Sequence, residues 1–158
     1  MRTFLWSCLF VIFLCNLSFA DEVLVAHCQN PKGKAYFPYK GLMLKERDSG
    51  WQNDEIRNAV VELVRDKEGG LDIRYVDASR RIKSSRADGG QISILNKGEK
   101  EFAVSVYYPG SGIEVYTFFS DRDGKNNFIL TQVRGGDGVL ITKSSILVGS
   151  CDSIAFNY

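Results

Sequence analysis

The chain is poor in the residues from which most catalytic devices are built. It has one histidine, His27, in 158 residues. A Ser-His-Asp or Cys-His device would have to use that residue, beside a cysteine and close to the start of the mature chain, which is a poor place for a general base. No phosphate-binding glycine loop and no zinc signature occur. Neither sign of charge dominates, with 20 basic against 19 acidic residues, so the basic excess of a nucleic-acid binder is missing. Beyond residue 20 there is no apolar run long enough to cross a bilayer as a helix and no Asn-x-Ser/Thr acceptor for N-glycosylation.

The first 20 residues have a different character. Arg2 supplies a positive start, Phe4 to Leu14 are almost all apolar, and Ser18-Phe19-Ala20 offers small residues at a cleavage site. This pattern predicts a secretory signal peptide over residues 1–20, and a mature chain from Asp21 forming a single β domain over 21–158. The apolar run is too short to span comfortably as an anchor. Leu14 before Cys15 departs from the small residue that a bacterial lipobox requires. Without Arg2 the mature chain has 19 basic and 19 acidic residues.

Of four cysteines, Cys8 and Cys15 leave with the signal. Cys28 and Cys151 remain, near the two ends of the mature chain, and an oxidising compartment predicts a disulfide between them. His27 beside Cys28 does not complete a closed zinc site, which takes four ligands. No metal and no cofactor is implied.

The stretch Glu101–Arg134 organises the rest. Phe102, Val104, Val106 and Tyr108 alternate with Ala103, Ser105 and Tyr107, the period of a strand with one buried face. Pro109-Gly110-Ser111-Gly112 reads as a four-residue turn. That length sets Val106 against Val115, Val104 against Thr117 and Phe102 against Phe119, which puts Ile113, Val115, Thr117 and Phe119 on the core face. The other face then holds Tyr107, Glu114, Tyr116 and Phe118. Left open, these four would form a binding patch; the rival expectation is that another segment, around Tyr36–Leu44, covers them. The loop Asp121–Asn126 leads to a third strand, with Phe128 set beside Phe119. Its Asp and Asn residues resemble half of a calcium loop but lack the terminal glutamate, so a hairpin loop is the better reading.

Around this meander other strands are expected. Val23 to Cys28 forms one, broken by Asn30-Pro31-Lys32-Gly33, with an edge strand or ordered loop at 35–39. Residues 45–54 read as a loop with Trp51 plugging one end of the core. The segment Asp54–Asp66 carries both a helical stripe (Ile56, Val60, Leu63, Val64) and strand-forming residues. A hairpin with Leu71–Val76 is preferred, setting Val64 against Ile73 and Val61 against Val76. Arg80 to Arg86 forms a basic loop or short strand. Gln91–Leu95 is a strand joined to the meander by a three-residue turn that sets Ile94 against Phe102. Two short apolar runs, 139–141 and 146–148, precede Cys151. The sum is an all-β antiparallel meander of about 7–9 strands, a small barrel or sandwich held by one disulfide.

With Asp72-Ile73, Asp77-Ala78, Glu114-Val115-Tyr116-Thr117-Phe118, Lys143-Ser144-Ser145 and Cys151 in view, the chain resembles a group of small secreted bacterial proteins of uncharacterised function. The likeness implies a Gram-negative source and a periplasmic or extracellular site, and it brings no activity with it. Gly110-Ser111-Gly112 and the late Cys151 also resemble features of the periplasmic β-barrel inhibitors of lysozyme, while the tyrosine and acidic spacing that follows departs from that pattern.

Three function classes remain. The first is a non-enzymatic secreted β-domain that binds a small ligand or a protein, suggested by the missing catalytic set and the surplus aromatics; the lysozyme-inhibitor barrel is its variant. The second is a hydrolase or other enzyme working through carboxylates. The third is a structural envelope protein.

Overall fold

The computed structural model describes residues 22–40, 45–76 and 80–158. The leader assigned to residues 1–20, residues 77–79 just before the basic segment and residues 41–44 of the expected cover lie outside them.

Among the described residues ten strands follow one another: β1 Val23–Phe37, β2 Gly50–Glu55, β3 Val60–Arg65, β4 Leu71–Val76, β5 Ile82–Ser84, β6 Gln91–Lys97, β7 Glu101–Tyr108, β8 Gly112–Ser120, β9 Asn126–Arg134 and β10 Lys143–Ile154. All pairings are antiparallel and belong to one sheet, ordered β5-β4-β3-β1-β10-β9-β8-β7-β6. β2 runs along β1 beyond the end of β3. The sheet curls into a half-barrel whose two edge strands, β5 and β6, do not pair. The all-β antiparallel expectation holds, as does the disulfide: Cys28 and Cys151 are bonded and face each other across β1 and β10.

The concave face carries the core. Across β7, β8, β9 and β10 the rungs run Phe102-Phe118-Phe128-Gly149, then Val104-Tyr116-Leu130-Leu147, then Val106-Glu114-Gln132-Ser145. Phe102, Phe118 and Phe128 are fully buried, and their rings stack at 5.0 and 6.1 Å about Phe118. Phe156 and Tyr158 fold back onto Phe102 and close this end of the trough. Val61, Leu63 and Ile73 supply the facing wall from β3 and β4.

Register is where sequence and structure part. β7 and β8 pair Phe102 with Phe118, Val104 with Tyr116 and Val106 with Glu114, one residue away from the expected pairing. The loop is Pro109–Ser111, three residues rather than four, because Tyr108 still pairs with Gly112. The same correction applies twice more. Asp121 donates its N–H to Lys125 at 2.9 Å, and Asp66 donates to Gly70 at 2.9 Å, so each encloses a three-residue loop. In both, the aspartate's Oδ1 accepts two further backbone N–H groups, from Asp123 and Lys125 or from Glu68 and Gly70. Gly124 and Gly69 take the left-handed position at φ 77° and 85° that completes such a turn. Phe128 therefore lies opposite Phe118, Val61 opposite Tyr75, and Leu63 opposite Ile73. A one-residue change exchanges the faces of a strand, so Glu114, Tyr116 and Phe118 point inward, while Ile113, Val115, Thr117 and Phe119 point outward.

Other differences are local. β1 does not break at Asn30-Pro31; it carries them as a bulge, with Asn30 at φ 52°, and continues to Phe37. The loop expected over 45–54 is a single helical turn followed by β2, and Trp51 stands 69% exposed against Tyr36 on the outer surface rather than plugging the core. β6 and β7 turn through Glu99-Lys100. A bulge at Leu95 then restores the facing, so that Ile94 meets Val104 and Ile92 meets Val106. Residues 139–141 lie outside the strands, and β10 is one continuous strand.

Candidate functional site

Polarity rises along the concave face. The aromatic rung is apolar, the middle rung has one hydroxyl at Tyr116, and the third holds Glu114, Gln132 and Ser145. Above it opens a cavity of about 600 Å³, walled by Tyr75 and Tyr108 and by Tyr116, Glu114 and Gln132, with Asp54 and Lys143 on its side. This is the size and mixed lining of a small-molecule site.

The carboxylate, the amide, the phenols and the Lys143 ammonium each have a partner, while the buried Ser145 hydroxyl of the third rung has none among the described residues. The Tyr116 hydroxyl donates to Glu114 Oε2 at 2.7 Å, and the Gln132 amide donates to Glu114 Oε1 at 2.5 Å. Tyr75 donates to Asp88 at 3.0 Å and Tyr108 to Ser85 at 2.9 Å. Lys143 is bonded to Asp54 at 2.7 Å. Ser85 and Asp88 belong to the turn at 85–89, which bridges the gap between the two open edges. Gly90 lets that turn lie flat on β7: a Cβ there would fall 2.6 Å from Val106 and 3.0 Å from the Tyr108 ring.

The phenols stay protonated. Burial pushes Tyr108 up to about 12, with the charge of Glu114 adding to the rise and the Ser85 hydrogen bond opposing it. Burial raises Tyr116 well above its ordinary value, and both the charge and the hydrogen bond of Glu114 act in the same direction. Tyr75 is raised chiefly by burial and then by its bond to Asp88. All three are neutral donors at physiological pH, not bases.

The structure separates the four residues grouped as a patch. Glu114, Tyr116 and Phe118 lie inside, Phe118 within the core and the other two lining the cavity, while Tyr107 is 48% exposed on the convex side opposite Ile113. Of the expected cover, Tyr36 is on the convex side, against Trp51, and residues 41–44 lie outside the described residues. Tyr75, Asp88, Gln132 and the Asp54–Lys143 pair were not singled out from sequence. Alternation places Tyr75 on a face with Ile73, but nothing local says that the face borders a cavity. His27 sits away from the cavity, 3.0 Å from Glu62 and 3.7 Å from Asp152. Of the basic segment, Arg86 bonds Asp66 at 2.9 Å, while Arg80 and Arg81 are exposed. The Gly110–Gly112 turn stands on the cavity rim, held by a 3.0 Å bond from Gly135 N–H to the Ser111 carbonyl. Among the described residues no cluster of three or more His, Cys, Asp or Glu is arranged to hold a metal, and no helix is long and apolar enough to cross a membrane.

No protein-family model matches the chain. Neither a curated protein nor a solved structure matches it.

Proposed function

We propose that this chain is a secreted, non-enzymatic β-domain that binds a small ligand in the mouth of its curled sheet, in the periplasm or outside the cell. The cavity carries the reading. A hydrogen-bonded carboxylate, an amide and three neutral phenols face about 600 Å³ of open space in the mouth of the trough. The rigid sheet holds those groups in place without a ligand, which lowers the ordering cost of binding. A buried disulfide suits an oxidising compartment, and the leader pattern over residues 1–20 supplies the route there.

The test titrates the oxidised chain beginning at Asp21, labelled for NMR, with small-molecule extracts of periplasm and medium. Shifts centred on Tyr75, Tyr108, Tyr116 and Gln132 are expected. Extracts that move only convex-side residues such as Trp51 and Ile113 would overturn the cavity reading. For the compartment, mass spectrometry of the protein from whole cells should find a chain that starts at Asp21 with Cys28 joined to Cys151; an intact leader with free thiols would contradict secretion.

A further inference from the structure

The unused chemistry of the cavity wall formed by Glu114 and the three tyrosines is one-sided. A phenol has a single hydrogen to donate. Tyr116 gives its hydrogen to Glu114, Tyr75 to Asp88 and Tyr108 to Ser85. Gln132 spends one N–H on Glu114 as well. What these groups still offer a ligand is mostly lone pairs, on a carboxylate and on phenol oxygens, together with aromatic rings. A site of this kind suits a ligand that donates hydrogen bonds or carries positive charge.

Charge sharpens the choice. Glu114 has hydrogen-bond donors but no ion-pair partner among the described residues. None of the basic residues of the lining makes an ion pair with it among the described residues. Lys143 is held by Asp54 at 2.7 Å, Lys83 stands on β5 opposite Tyr75, and Arg134 is exposed one inward position beyond Gln132. The tyrosines are close enough to Glu114 that its charge contributes to the raised pKa of all three. A carboxylate with no ion-pair contact, beside aromatic rings and partly withdrawn from water, attracts a cation both by charge and by the quadrupole of the rings.

We propose that the cavity takes an organic ammonium ion, its cationic head seated against Tyr75, Tyr108 and Tyr116 with Glu114 as counter-ion. This rests on the cavity reading above and adds the class of ligand. The site gives no reason to prefer a free solute over the same headgroup on a larger molecule; the shared feature is the ammonium.

The test uses four probes on the oxidised chain, read by NMR titration and calorimetry: choline, ethanolamine, 3,3-dimethylbutan-1-ol and 3,3-dimethylbutanoate. The alcohol is the neutral carbon isostere of choline, and the acid is its anionic counterpart. Choline or ethanolamine should bind at least about tenfold more tightly than the alcohol, with the acid weakest. Choline ahead of ethanolamine would assign the head as quaternary, and the reverse order as primary. Glu114→Gln keeps the size of the side chain and one of its two acceptor oxygens, and should weaken ammonium binding by about tenfold or more and narrow the gap between choline and the alcohol. Arg134→Gln, which removes a nearby positive charge, should strengthen it. The isostere comparison uses the unaltered chain, so it decides the matter even if a variant fails to fold. Equal binding of choline and the alcohol, or preference for the acid, overturns the ammonium assignment and leaves the cavity reading standing. Silence from all four probes also overturns the assignment, and the extract titration then decides whether the cavity binds anything.

Discussion

Phe118 and Phe119 are neighbours in sequence and opposites in the fold, and truncating each in turn makes the sharpest energetic test of the register. Phe118 has no exposed surface and packs its ring on Phe102 at 5.0 Å, Phe128 at 6.1 Å and Tyr116 at 6.4 Å. Phe118→Ala loses the transfer energy of a buried ring and leaves a cavity that flanking strands cannot collapse into, a cost of about 3–5 kcal/mol. The stacked ring pairs place it toward the upper end of that range. Against a total stability of about 5–15 kcal/mol this is a large fraction. Phe119 is half-buried on the convex side, between Glu101 and Asn127. Its truncation removes only part of a ring from water and should cost about 1 kcal/mol. Urea unfolding of the oxidised chains, followed by circular dichroism, measures both. With a slope near 2 kcal/mol per molar, the midpoint should fall by roughly 1.5–2.5 M for Phe118→Ala and about 0.5 M for Phe119→Ala. Equal shifts, or a larger one for Phe119, would mean that β8 presents its other face to the core, and the cavity described above would not exist.

Three further outcomes follow from the same geometry. Cys28 and Cys151 are 123 residues apart, so replacing both by alanine should cost about 4–5 kcal/mol by loop-closure entropy, seen as a lower urea midpoint than the oxidised parent; a midpoint within error of the parent would deny the bond that role. Tyr108 titrates near 12 when folded against 10 when unfolded, so folding keeps a proton that the unfolded chain loses. Its contribution to stability is whole below pH 10 and drains away as pH rises to about 12, and Tyr108→Phe should flatten that alkaline slope in thermal melts. Asp121→Ala removes the acceptor of two backbone N–H groups in the β8–β9 turn, at 3.0 and 2.9 Å, and should cost about 1–2 kcal/mol; Asp121→Asn should recover part of it.

Much of this fold is legible in the sequence because alternation and turn residues act locally. The hairpins at β3–β4, β7–β8 and β8–β9 and the pairing of Cys28 with Cys151 can all be read without coordinates. Register is harder. It depends on whether a loop holds an odd or an even number of residues, and Pro109-Gly110-Ser111-Gly112 and Lys67-Glu68-Gly69-Gly70 each look like four-residue turns. In each the last glycine already belongs to the ladder. The repeated Asp-x-x-Gly of Asp66–Gly69 and Asp121–Gly124 was the usable signal, since the aspartate caps the turn and the glycine supplies its left-handed residue. Apolarity misled at β8 for a physical reason. Ile113, Val115, Thr117 and Phe119 make the more apolar face, but the concave side must also line a cavity, and there Glu114 is satisfied by Tyr116 and Gln132. Tyr116 is a near neighbour in sequence, but Gln132 is 18 residues away and Tyr75 and Asp88 lie on earlier segments, so no short window of sequence contains the site. Trp51 makes the converse point: a large apolar residue stands on the surface, in edge contact with Tyr36.

The inward face of β8 underlies both the core and the site, and through-space NMR contacts of the Tyr116 ring test it most directly. Its protons should show cross-strand contacts to the methyl groups of Val104 on β7 and Leu130 on β9, its opposite numbers in the ladder. Contacts from the Thr117 methyl to Val104 and Leu130 in their place, with Tyr116 in water, would contradict the account.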